Sequence, residues 1–174
     1  MTKLSNLSRL FLFLSFLFGS LWLGSYFTRQ IVVYQFFEPD GLNLKAIYNQ
    51  QNLEVVIKTI APLFVSNLIL FLSFLIFFIS FVLTSKIKLR EEGWFLIILL
   101  IIIITAPFEL YLLYKDYKII NTIYFTASTS GLELISQIKE RMQSLSGFAL
   151  IEIFSYFGII FLTIVKPLRK INEN

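Results

Sequence analysis

The fold class predicted by this sequence is an all-α integral membrane protein, a four-transmembrane-helix bundle with two structured extracytoplasmic loops. Three observations predict it. The 174-residue chain is 57% hydrophobic with a mean hydropathy of +0.78, above the roughly 45–50% apolar content of soluble domains. Four long stretches are almost free of charge. The basic residues gather in short groups beside those stretches.

The four stretches set the elements. No charge occurs from Leu10 to Phe27, from Thr59 to Ser85, or from Gly93 to Phe108, where the apolar character continues to Tyr114 with Glu109 inside it. From Met142 to Val165 the one charge is Glu152. Each run approaches or exceeds the roughly 20 residues that a helix needs to cross the hydrocarbon layer. Lipid offers no partners to N–H and C=O groups, so helices are expected, and the unbroken Ile run at 101–104 rules against the alternation of a β-barrel strand. The first run follows Lys3 and Arg9 like a signal peptide. Its length and the lack of an A-x-A site favour a retained helix.

The Lys and Arg pattern sets the expected orientation. The N-terminus (Lys3, Arg9), the turn after the second run (Lys86, Lys88, Arg90) and the C-terminus (Lys166, Arg169, Lys170) are short and basic. The other two connections hold Arg29, Lys45, Lys58, Lys115, Lys118, Lys139 and Arg141 in much longer stretches, diluted by Glu38, Asp40, Glu54, Asp116, Glu133 and Glu140. The expected organisation is a cytoplasmic N-terminus at 1–9, a first span at 10–28 and an outer loop with an amphipathic helix at 29–58. A second span at 59–85, a cytoplasmic loop at 86–92 and a third span at 93–114 follow. An outer loop with an amphipathic helix at 115–144, a fourth span at 145–165 and a cytoplasmic tail at 166–174 complete it. The expected location is the cell membrane with both termini cytoplasmic.

Within the first outer loop, Glu38-Pro39-Asp40-Gly41 reads as a turn, and Asn52 is a candidate cap for a helix through Leu53, Val56, Ile57 and Ile60. Pro62 then falls in the first turns of the second span. In the second outer loop, Tyr117 to Phe125 is rich in Ile, Tyr and Thr and reads as extended. Leu132, Ile135, Ile138, Met142 and Leu145 recur at helical spacing, with Glu133, Gln137, Lys139, Glu140 and Arg141 on the opposite face. Such a helix either lies on the membrane surface or packs under the first loop.

Cys and His are absent, which excludes thiol nucleophiles, disulfides, Cys/His zinc sites and His-ligated haem. No phosphate loop, Ser–His–Asp set or HExxH helix occurs. The chain is expected not to be an enzyme and to need no cofactor. The net charge of +4 sits in juxtamembrane groups, so nucleic acid is not an expected partner.

The candidate chemistry is intramembrane, where burying an ionisable group is costly. At 1.5 Å per residue Glu109 falls about 24 Å from Gly93, Glu152 about 20 Å from Val165, and Asn67 about 25 Å from Thr84. Arg29 is the nearest cation. Arg29, Asn67, Glu109 and Glu152 therefore form one polar layer in the outer half of the bundle. It would bind a cation, a lipid headgroup or a partner's basic residue. The simpler expectation is that Glu109 reaches interfacial water and Glu152 bonds one neighbouring helix.

Small residues mark packing faces: Ser15, Gly19, Ser20 and Gly24 on the first span, and Ser66, Ser73 and Ser80 at seven-residue spacing on the second. Trp94, Tyr26, Tyr111, Tyr114 and Tyr117 read as interfacial anchors, and the Phe of the first two spans as lipid-facing bulk. The expected function is a non-catalytic subunit or accessory/assembly factor of a membrane complex, with the lipid bilayer and other membrane subunits or a second copy as partners. The alternative is a small oligomeric transporter or channel using the carboxylate layer. A lipid-modifying enzyme is the weakest reading.

Overall fold

The computed structural model describes residues 4–126 and 130–168. Among them are five helices and no strand: α1 (Asn6–Tyr34), α2 (Gln50–Ser85), α3 (Gly93–Phe125), α4 (Gly131–Gln143) and α5 (Phe148–Val165). α1, α2, α3 and α5 are long and apolar enough to cross a membrane.

The buried residues of α1 are Ser8, Ser15, Gly19, Trp22, Tyr26, Arg29 and Val33, and those of α2 include Leu53, Ile57, Ala61, Phe64, Asn67, Phe71, Phe74, Phe78, Phe81 and Ser85. Both series step by three or four residues, or by seven, the 3.5-residue repeat of a left-handed helix pair. α1 and α2 accordingly share the most extensive packing in the molecule. α3 lies beside α2 and carries both α4 and α5.

α2 has 36 residues and α3 has 33, about 54 and 50 Å at 1.5 Å per residue. Both outrun the roughly 30 Å hydrocarbon core of a bilayer. Their extra turns meet α4 at one end of the bundle, called here the loop end. The start of α1, the end of α5 and the α2–α3 turn occupy the other, terminal end.

Two apolar clusters result. The terminal-end cluster gathers Trp22, Phe71, Phe74, Phe78, Phe81, Phe95, Ile98, Ile102 and Tyr156 among others. The loop-end cluster gathers Phe36, Phe37, Leu53, Ile57, Phe64, Ile119, Leu134 and Ile138 among others. The first connection joins the loop-end cluster through a single antiparallel bridge, Phe37 to Leu44, and through Phe36, whose ring sits 5.0 Å from Tyr48.

Several expectations are corrected. Tyr117 to Phe125 is helical, as the last turns of α3, because Ile119 and Ile123 continue its buried stripe at helical spacing. Asn49 caps α2, while Asn52 stands at the third helical position and closes a capping box. Phe64, Phe71, Phe74, Phe78 and Phe81 are core, not lipid-facing bulk. Tyr26 and Trp94 are buried, the latter donating from Nε1 to Glu92 at 2.5 Å, whereas Tyr111, Tyr114 and Tyr117 are exposed.

α4 packs against α2 and α3, the second of its two expected placements. Ser130 caps it by accepting from the Glu133 N–H at 3.2 Å. Gly131 abuts α2 so closely that a Cβ there would stand 2.8 Å from the Glu54 backbone nitrogen. Arg141 does not lie on the polar face; it is buried beside Ile138 and Met142.

Candidate functional site: a buried polar layer between two apolar clusters

Between the two clusters lies a level at which every helix contributes a polar or charged side chain. α1 places Arg29 between Tyr26 and Val33. α2 places Asn67 between Phe64 and Phe71. α3 places Glu109 and Asp116 seven residues apart, with Leu112 and Leu113 on the same face. α4 supplies Arg141 and α5 supplies Glu152. All six are buried, Glu109 completely so at 0% exposure. The expected route of Glu109 to interfacial water is therefore closed.

The four residues expected from sequence, Arg29, Asn67, Glu109 and Glu152, are all among these six. Asp116 and Arg141 were missed, because both fall in a stretch read as an outer loop. Spacing held the signal. Asp116 is two turns from Glu109, and Arg141 is seven residues from Leu134 and three from Ile138, on the buried stripe of α4.

Asp116 is the hub. Its Oδ2 pairs with Arg29 Nη1 and its Oδ1 accepts from Arg141 Nε at 3.0 Å. One carboxylate thus holds two guanidiniums from two different helices. Arg29 is also laid over aromatic rings, with its Cζ 5.1 Å from the Tyr26 centroid and 6.0 Å from that of Phe64. Burial pushes the Arg141 guanidinium down, but Asp116 and Glu109 beside it more than offset this and hold it above its ordinary value. A buried ion pair with both partners present costs little net, whereas removal of one partner strands a charge.

Other groups of the layer are incompletely satisfied. Both oxygens of Glu109, both amide atoms of Asn67, Glu152 Oε1, Tyr26 Oη, Trp22 Nε1, Arg29 Nη2 and Arg141 Nη2 have no hydrogen-bond partner in the protein. Buried polar atoms without partners are uncommon, and most of those among the described residues belong to Arg29, Asn67, Glu109, Arg141 and Glu152.

The packing residues divide. Gly19 lets α5 approach, since a Cβ there would stand 2.7 Å from the Tyr156 ring. Ser15 is buried. Ser20 and Tyr156 share a hydrogen bond of 3.1 Å, and Ser66 bonds Ser25 across α1 and α2 at 3.1 Å. Ser73 and Ser80 are half-buried. Gly24 is exposed, with nothing near its Cβ direction.

Among the described residues no group of three or more His, Cys, Asp or Glu is arranged to hold a metal ion. No protein-family model, curated protein or solved structure matches the chain.

Proposed function

We propose that the protein is a non-catalytic subunit or assembly factor of a membrane complex, lying in the cell membrane with both termini cytoplasmic. The observation that carries this reading is the apolar surface of the loop end. Val55 on α2 is 64% exposed, Phe125 at the end of α3 is 80% exposed and Leu132 on α4 is 51% exposed. Gly131 packs directly on Leu53 and Glu54, so Leu132 and Val55 project from neighbouring turns. Phe125 stands about 48 Å along α3 from Gly93 and Val55 about 45 Å along α2 from Ser85. Both distances reach or pass the roughly 40–45 Å of a whole bilayer with its headgroups. Exposed apolar groups beyond the lipid mark a partner surface. The polar layer, in this reading, holds α4 in place beneath that surface.

Photo-crosslinkers placed at Val55, Phe125 and Leu132 in native membranes test the proposal. The expected result is a discrete protein adduct from these positions and lipid adducts from Leu83 and Phe154. Lipid adducts alone at all five positions would sink it. Orientation is tested by cysteines at Asn49 and Lys88, which should label from opposite sides.

A second reading has its own observation. The unpartnered oxygens of Glu109 and the unpartnered Oε1 of Glu152 suit a small transporter or channel working through the carboxylate layer. Ion flux into liposomes holding the pure protein, abolished by Glu152→Gln, would favour it over the subunit reading.

A further inference from the structure

The buried charges of the layer do not balance by number. Arg29 and Arg141 face Glu109, Asp116 and Glu152, two guanidiniums against three carboxyl groups. An uncompensated charge in a dry interior is expensive enough that the group takes up a counter-charge or becomes neutral. The geometry says which carboxyl is left over. Asp116 is bonded to both guanidiniums. Glu109 stands two turns from Asp116 on the same buried face of α3. Glu152 stands on a different helix, α5, and neither guanidinium forms an ion pair with it.

Glu152 also borders a cavity of about 20 Å³, lined among others by Trp22, Thr105, Ser155 and Tyr156. That volume suffices for one water. Two of its lining groups have buried atoms without a partner and are complementary: Trp22 Nε1, an N–H donor, and Glu152 Oε1, an acceptor. Both residues are at least nine-tenths buried, at 2% and 4% exposure. The Thr105 hydroxyl donates to the Ile101 carbonyl at 3.0 Å and keeps its lone pairs for the cavity. An indole N–H opposes a metal cation, which needs oxygen ligands on all sides. It suits a water that accepts from the indole and donates to the carboxyl.

We propose that Glu152 is the proton-bearing group of the polar layer, and that one water in this cavity bridges Trp22 Nε1 to Glu152 Oε1. The site takes a proton and a water molecule. It stands whether or not the subunit reading holds, because it rests on the charge count and the cavity. Tyr156 from α5 lines the cavity with it; the other charged and titratable groups that the packed helices bury in the layer are Tyr26 and Arg29 from α1, Glu109 and Asp116 from α3 and Arg141 from α4. α2 contributes the uncharged Asn67.

Infrared spectroscopy of the whole protein in nanodiscs at neutral pH tests this. The expected result is a protonated-carboxyl C=O band that shifts in deuterium oxide, disappears in Glu152→Gln and persists in Glu109→Gln. In Trp22→Phe the band should remain but move to higher frequency, as the carbonyl loses its hydrogen bond. A wild-type spectrum without the band, or a band lost in Glu109→Gln and kept in Glu152→Gln, overturns the proton assignment. A band removed by sodium would place a metal cation there instead and overturn it too. An unmoved band in Trp22→Phe overturns the water bridge.

Discussion

The terminal half of the bundle and its loop half are held by different physics. In the terminal half, Trp22, Phe71, Phe74 and Tyr156 form one aromatic knot, with ring centroids 5.1–6.4 Å apart in the pairs that touch. These contacts tolerate small slides of one helix along another. In the loop half, one carboxylate grips guanidiniums from α1 and α4, and a fork-shaped donor tolerates little displacement. The difference teaches that aromatic packing joins the long helices, while the short fourth helix adds a buried ion pair to its apolar packing. Between apolar helices in lipid there is no hydrophobic drive to choose one register over another. A directional ion cluster supplies the choice.

The largest expected effect is at the hub. Asp116→Asn leaves Arg29 and Arg141 buried without their carboxylate and should destabilise the fold by about 3–5 kcal/mol. Unfolding in bicelles measures this, and proteolysis of a released α4 should accompany it. If the loss stays below that of the next variant, the comparison fails and the aromatic knot dominates.

That next variant is Phe74→Ala. A soluble core would lose ~3–5 kcal/mol for such a truncation. Here lipid replaces water as the alternative environment, so mainly packing is lost, and about 2 kcal/mol is expected in the same unfolding experiment. A value above that of Asp116→Asn would move the structural centre of the bundle into the terminal half.

Smaller again is the Ser25–Ser66 bond between α1 and α2. Ser66→Ala should cost roughly 0.6 kcal/mol, the average for such bonds between membrane helices. A much larger loss would show that polar contacts on the packing stripe rival the ion cluster.

The smallest effect belongs to a charge on the surface. Lys115 Nζ donates to Glu140 Oε1 at 2.6 Å, and this bond holds the Glu140 carboxyl below its ordinary value. With a lowered folded value, any stabilisation is present above the unfolded carboxylate range and disappears as pH falls through the lowered one. Glu140 is exposed to solvent, so Glu140→Gln should leave the unfolding midpoint unchanged between neutral and mildly acidic pH. A pH-dependent loss would extend the ion cluster outward to the surface of α4.

Much of this arrangement was legible from residue order. Glu109 and Glu152 stand out because each interrupts an otherwise uncharged run, Asn67 follows from a similar distance along its helix, and Arg29 from being the nearest cation. The amphipathic stripe of α4 was legible for the same reason. Asp116 and Arg141 were not, since a charge beyond the end of an apolar run resembles any solvated charge. Only the continuation of α3 for another eleven residues past Tyr114 turns Asp116 inward. The Phe residues of α2 were misread because apolar residues suit lipid and core equally, and composition does not separate the two.

By itself, the order of amino acids determined the number of long apolar helices, the stripe on each and the height of the carboxyl groups, because hydropathy and helical rise are local properties. Tertiary structure alone decided that Asp116 sits between Arg29 and Arg141, that α4 lies on α2 and α3, and that Glu152 shares a cavity with Trp22. Those are contacts between residues 25 to 130 positions apart in the chain, and such pairing is set by how whole helices pack and not by any segment's own pattern.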